Sequence, residues 1–379
     1  MKSIHAETLY TGQTVLDNTY INFEAERIVG VSQSAAGTLC GRYPVVTPAF
    51  IDPHSHIGMV RTGEPQSEAE ANEHFDSLML ITDALDSVQM DDTAFSAAVE
   101  AGVLYSCVVP GSGNIIGGMS AVIRNYASDS TEALVARAGL KAAFGYNPIS
   151  RKDWKGHRPN TRMGAVAILK KRLEEIIGKN KRAMQDPPVS HEFEITAEEQ
   201  VLVEVLEKKK RLRVHVHKID DIATLLRLVD RYQIDVTIEH AMGVDRPEMF
   251  HELKQRGIPV TYGPMDSFAY KVELKQESWR NIRHLIDSKV LFGLMSDHPV
   301  SPAHQLLYHT RWFLREGFSP QQAIEIITRK NAEILEIDNR LGTLEEGKWA
   351  SFTCWNGDPF VLSHYPVSAF GEGKRLFGE

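Results

Sequence analysis

Cysteine is scarce in this chain: Cys40, Cys107 and Cys354 are the three in 379 residues, an odd number without paired spacing. That excludes a disulfide framework or a thiolate zinc cluster and suits a reducing compartment. A dense basic run is missing as well, since 42 Lys and Arg stand against 50 Asp and Glu for a net charge of -8. Neither a nucleic-acid track nor a polybasic membrane anchor is therefore expected. The start, Met1-Lys2-Ser3-Ile4-His5-Ala6-Glu7, has no apolar signal core. No stretch approaches the roughly 18 uncharged apolar residues of a membrane span. There is no internal repeat or low-complexity tract. These absences lead to an expected cytoplasmic location and a small soluble substrate, with no nucleic acid and no membrane as partner.

The chain holds 42% hydrophobic residues, enough for a large core. Residues 1 to about 47 read as short strands between turns, with Tyr20-Ile21-Asn22-Phe23-Glu24 alternating and Arg27-Ile28-Val29-Gly30-Val31 following. Near the other end, the turn-rich Gly342 to Lys348 precedes a strand-like Ala350-Ser351-Phe352-Thr353-Cys354-Trp355, so the two ends are expected to join in one sheet. Between them, apolar runs alternate with amphipathic segments, which implies parallel strands with helical crossovers. Strands are expected at 45–52, 103–110, 120–124, 140–145, 212–217, 234–239, 258–262 and 290–295. Eight of them predict an α/β fold, a closed (β/α)8 TIM-like barrel over 48–340. A long insertion at about 149–196, with Arg151-Lys152-Asp153-Trp154 and a Pro187-Pro188 break, is expected to include a loop over the strand ends.

Chemistry is expected at the strand ends, because the βα loops of a barrel build its site there. His54 and His56 sit two residues apart after the first apolar run, so strand alternation sends both imidazoles the same way. They make half a metal site. The run Leu212-Arg213-Val214-His215-Val216-His217 ends on a histidine, Val236-Thr237-Ile238-Glu239-His240 does too, and the eighth strand runs into Asp297-His298-Pro299. His54, His56, His217, His240 and Asp297 are the expected ligands of a divalent ion, zinc ahead of other borderline ions, with one side open. Such an ion acidifies water, and Asp297 is the expected catalytic group, taking the water's proton and passing it to a leaving nitrogen. His215 faces inward but a turn deeper, and is expected to be a core or supporting group.

These motifs together resemble the amidohydrolase superfamily, and look closest to its imidazolonepropionase-like branch. The resemblance rests on Phe50-Ile51-Asp52-Pro53-His54-Ser55-His56, the Val109 to Gly118 stretch, His217 followed by Asp220-Asp221, Glu239-His240, Ser296-Asp297-His298-Pro299 and the tail Leu341 to Lys348. It implies a small β-sandwich of 1–47 and 341–379 beside the barrel, hydrolysis of an amide, lactam or peptide-like C–N bond, and a homodimer. Two departures stand out. Ala49 replaces a usual glycine, and Tyr146 stands where relatives carry a bridging carboxylate. A phenol is a poor bridge at neutral pH, so one metal per chain is expected rather than two. Lys141, a candidate substitute, is placed at the start of its strand, away from the site.

Other polar groups carry two readings each. Tyr146, Tyr262, His298 and Arg162 are candidate substrate contacts, against packing for the ring side chains and solvated loop charge for Arg162, as for Arg151 and Arg158. The glycine-rich Gly111 to Gly118 reads as a tight turn beside the site, since it lacks the Gly-Lys-Ser/Thr ending of a phosphate loop. Asp220 reads as a helix cap ahead of a proton shuttle. Glu64, Glu68, Glu70 and Glu73 read as a solvated acidic loop. Deamination of a small heterocycle and a non-catalytic metal-binding barrel are the alternatives to amide hydrolysis.

Overall fold

The computed structural model describes residues 1–149, 157–185, 194–266 and 271–378. Four strands open the chain: β1 (Lys2–Tyr10), β2 (Val15–Glu24), β3 (Arg27–Ser32) and β4 (Thr38–Pro48). Eight more follow: β5 (Phe50–Ser55), β6 (Val103–Val108), β7 (Ile116–Arg124), β8 (Leu134–Ala143), β9 (Leu212–Val216), β10 (Val236–His240), β11 (Val260–Tyr262) and β12 (Phe292–Leu294). Three close the chain: β13 (Phe352–Trp355), β14 (Pro366–Gly371) and β15 (Lys374–Phe377).

The terminal strands do join in one sheet, in the order β15-β14-β13-β4-β1-β2-β3. Its own apolar cluster includes Ile4, Phe23, Phe352 and Phe370. The expected strand at 45–52 is in fact a junction. β4 pairs with β1 and β13, whereas β5 pairs with β6. The switch occurs between neighbours: Ala49 N donates to Ser351 O at 3.0 Å, and Phe50 N donates to Gly102 O at 2.9 Å.

β5 to β12 form an eight-stranded sheet in sequence order, the nearly closed barrel. β5, β6, β9 and β10 are buried at every residue, as expected of strands covered on both faces. One part departs from the expected parallel pattern. β7 runs antiparallel to both β6 and β8. The connection from Val108 to Ile116 is too short for a helical crossover, which takes a dozen or more residues. No ladder joins β12 to β5. Asn331 bridges them instead, its Nδ2 donating to Ile51 O at 2.7 Å and to Leu294 O at 2.9 Å.

The insertion carries the helix Arg162–Gln185; Arg151, Trp154, Pro187 and Pro188 lie outside the described residues. Among the described residues, no helix is long and apolar enough to cross a membrane.

Candidate metal centre

The pair that strand spacing singled out is held rigidly. His54 Nδ1 lies 2.8 Å from Glu239 Oε2, and both side chains are fully buried. His56 Nδ1 donates to Val109 O at 2.7 Å. Each contact occupies Nδ1 and leaves Nε2 as the bare nitrogen. Both bare nitrogens approach one carboxylate oxygen: Asp297 Oδ1 is 3.4 Å from His54 Nε2 and 3.3 Å from His56 Nε2.

His215, His217 and His240 gather on the other side. The ring of His240 stacks on His217 at 4.7 Å and meets His215 edge-on at 4.4 Å. His240 Nδ1 donates to Gly263 O at 2.9 Å, leaving Nε2 bare. His54 and His240 are themselves 4.9 Å apart between ring centroids, so the two halves adjoin. His240 and Asp297 adopt φ of +78° and +53°, a left-handed backbone costly for residues other than glycine. At Asp297 this strain is held by its N–H, which donates to His54 O at 3.1 Å.

Electrostatics keep most of these rings neutral. Burial pulls His56 and His215 below the ordinary imidazole value, takes His217 down to about 4, and holds His240 far down. His54 goes the other way: burial lowers it, but Asp297 and Glu239 outweigh burial and raise it. Burial would raise Asp297, yet His240, His54 and His56 hold it well below the usual carboxylate range.

The donor set fits a divalent ion. His54 Nε2, His215 Nδ1, His217 Nδ1 and His240 Nε2 are buried without a well-aligned hydrogen bond among the described residues. Unpaired buried nitrogens are costly unless something satisfies them. Ligand atoms around a tetrahedral ion with bonds of about 2.0–2.1 Å stand about 3.3 Å apart, close to the observed spacing around Asp297. Two groups have ligand atoms all within 4.8 Å of one another, His54–His240–Asp297 and His215–His217–His240. They share His240, whose Nδ1 also lies 4.0 Å from Asp297 Oδ2.

His54, His56, His217, His240 and Asp297 are thus brought together, and His215 is drawn in with them. Strand rise alone places His215 deeper than His217, yet their ring centroids are 4.8 Å apart and His240 lies 4.4 Å from His215. Lys141 is also differently placed: β8 begins at Leu134, so Lys141 lies two residues from the strand's end. Fully buried, it donates to Pro110 O at 3.1 Å and Ser112 Oγ at 2.9 Å. Tyr146 stands on the loop after β8, 37% exposed. His298 sits beside His56, where burial lowers it to about 4.

Two candidate substrate contacts lie elsewhere. Tyr262 is fully buried and packs on Phe250 of the helix Pro247–Gln255. Arg162 donates to Asp221 Oδ1 at 2.7 Å, in the first turn of the helix Ile219–Tyr232. Arg158 donates to Pro148 O at 3.0 Å. Asp220 makes no capping bond: the helix starts earlier, with Lys218 at its cap.

The glycine-rich stretch is a tight turn. Gly111 N donates to Ala71 O at 2.6 Å and Gly113 N to Asn72 Oδ1 at 2.7 Å, so those amides are already used. Sequence reasoning missed Glu273 altogether. It comes from the segment after β11, fully buried, with Oε1 3.3 Å from His215 Nε2 and 3.9 Å from His217 Nε2. Its surroundings in sequence, Lys271-Val272-Glu273-Leu274-Lys275, read as a solvated loop. The apolar Val272 and Leu274 on either side of it were the signal available.

The amidohydrolase family model matches residues 45–375. The chain belongs to the amidohydrolase family. Amidohydrolase tasK of Hapsidospora irregularis is 22% identical over 357 residues, which are 88% of this chain but 36% of that protein. The chain therefore spans little more than a third of that relative's length. The crystal structure of an amidohydrolase from Thermotoga maritima MSB8 superposes with a TM-score of 0.92 at 27% identity, covering 100% of both chains. A mutant atrazine chlorohydrolase from Arthrobacter aurescens TC1, solved with zinc and atraton, shares the fold at a TM-score of 0.57 and 16% identity, over 100% of this chain and 95% of that one.

Proposed function

We propose that this chain hydrolyses the C–N bond of a small cyclic amide, lactam or peptide-like amide at one divalent ion, zinc ahead of others. The observation that carries this reading is Asp297, whose Oδ1 stands 3.4 and 3.3 Å from the bare nitrogens of His54 and His56. His54, His56, His217, His240 and Asp297 would hold the ion, with His240 as its pivot. Tyr146, a phenol where relatives carry a bridging carboxylate, supports one ion per chain. A divalent ion in such a seat supplies a nucleophile at neutral pH and a Lewis acid for the scissile carbonyl.

The chain's residues do the rest. Glu239, Val109 O and Gly263 O fix the tautomers that aim three bare nitrogens inward. Asp297, kept ionised by its imidazole neighbours, would be one of the ion's holders and would accept the nucleophilic water's proton. As the water oxygen bonds to the carbonyl carbon and the C–N bond breaks, that proton passes to the departing nitrogen. Tyr146, half-buried on the loop after β8, and His298, beside His56, would meet the substrate. We read 1–47 with 341–379 as the small sandwich domain of this fold and 48–340 as the catalytic barrel, in a cytoplasmic homodimer. The motifs around His54 and Glu239 favour the imidazolonepropionase-like branch.

Deamination of a small heterocycle is a second reading, in keeping with the one-ion proposal. The test is a panel of lactams, N-acyl amino acids, dipeptides and aminated heterocycles, read by mass spectrometry of the products and by ammonia release, with elemental analysis of the protein. New carboxylate with one ion per chain supports the amide reading, and ammonia release without carboxylate overturns it for deamination. Protein that binds no divalent ion and turns over nothing sinks both.

A further inference from the structure

Glu273 has no place in the metal-ligand pattern read from strand ends, yet its surroundings are those of a built seat. Its side chain is fully buried. Oε2 accepts from Tyr146 N at 3.0 Å, and Oε1 lies 3.3 Å from His215 Nε2. The backbone makes room for it: at Gly145, with φ of +93°, an added Cβ would stand 3.0 Å from Glu273 Oε2 and 3.0 Å from Asp221 Oδ2. A side chain there would push the carboxylate out.

The chemistry of the contact sets a tautomer. A carboxylate accepts only, so Nε2 of His215 must donate to it, and Nδ1 is then the bare nitrogen. That Nδ1 is buried and unpaired among the described residues, like Nδ1 of His217 and Nε2 of His240. Asn147 Nδ2 is placed 3.1 Å from the same His215 Nε2. An amide's oxygen and nitrogen are assigned from the network, and with Nε2 donating to Glu273 the network turns this amide so that Oδ1 would face the ring.

We infer that Glu273 is a positioning residue of the metal centre. It fixes His215 in its Nε2–H form, so that the bare Nδ1 of His215 would join His217 and His240 as a further donor to the ion, and its Oε1 also lies 3.9 Å from Nε2 of the ligand His217. It matches, for the β9 side, the hydrogen bond by which Glu239 holds His54. The inference rests on the metal-centre reading above. It also accounts for the departure at Tyr146: the side chain at that position is no carboxylate, but its backbone N–H anchors one that arrives from the segment after β11.

Partners of this kind typically change metal affinity by about 10- to 100-fold. The test compares wild type, Glu273→Gln and Glu273→Leu, with Zn2+ affinity from chelator competition, the visible spectrum of the Co2+-loaded protein, and thermal melting as a check on folding. Folded variants that bind Zn2+ about 10-fold more weakly or worse, with an altered Co2+ spectrum, support the inference. Affinity within about twofold of wild type and an unchanged spectrum overturn it, whereas wild type that binds neither metal overturns the metal reading instead. If neither variant folds, 15N spectra of metal-free wild type decide, with His215 assigned by His215→Gln. An Nε2–H tautomer at His215 is expected, and an Nδ1–H tautomer overturns the inference.

Discussion

His54 and Glu239 meet at 2.8 Å, Nδ1 to Oε2, with neither side chain exposed. The second oxygen of Glu239 lies 2.9 Å from Arg213 Nη2, also buried. One carboxylate thus orients a metal-site imidazole and neutralises a buried guanidinium. Glu239→Gln is expected to weaken Zn2+ binding by about 10- to 100-fold, measured by chelator competition. It also leaves Arg213 without its counter-charge, so unfolding in denaturant should show a loss of roughly 3–5 kcal/mol in the metal-free protein. Unchanged affinity would mean that the Nδ1 contact does not govern how His54 meets the ion.

Asp297→Asn separates proton handling from metal holding. The amide oxygen can still face His54 and His56, but the side chain no longer takes up a proton. Turnover is expected to fall by about 10²- to 10⁴-fold, with the ion retained by elemental analysis. A variant that keeps both its ion and its rate would move the proton to another group.

The parts of this centre legible in the sequence are those set by local geometry. The two-residue spacing of His54 and His56 at a strand end fixes their common direction, and His217, His240 and Asp297 each follow an apolar run. Strand direction was not legible in the same way, because alternating apolar runs do not encode it. The short span from Val108 to Ile116 was the available signal for the antiparallel β7. Lys141 was misplaced because the first half of β8 is only partly buried and carries Arg137, so it does not read as strand. Glu273 was hard to find for a different reason: it is held by Gly145 and Tyr146, more than a hundred residues away, and its apolar neighbours Val272 and Leu274 are the sole local sign.

Asn331 closes the barrel where no backbone ladder does. Asn331→Ala removes the donor to Ile51 O and Leu294 O together. Each buried carbonyl left unpaired costs about 1–3 kcal/mol, so denaturant unfolding should show a loss of roughly 2–5 kcal/mol. Because Ile51 and Leu294 lead into His54 and Asp297, the Co2+ spectrum should broaden as well. A loss under about 1 kcal/mol would assign closure to the contacts of Asp52 with Ser296 instead.

Lys141 makes stability depend on alkaline pH. Burial lowers its ammonium from 10.5 to about 8 in the folded chain. Below about pH 8 the amine is protonated both folded and unfolded, and the cost of burying its charge is fully present. Between about 8 and 10.5 the unfolded chain still binds the proton while the folded chain does not, so stability rises with pH through that window. Above it the contribution is constant. The full change is on the order of 3 kcal/mol. Lys141→Met lacks this titration but keeps the other groups, so subtracting its unfolding free energy from that of wild type isolates it. The difference should shift in favour of wild type from pH 7.5 to 10.5, and a flat difference would place the proton on Lys141 equally in both states.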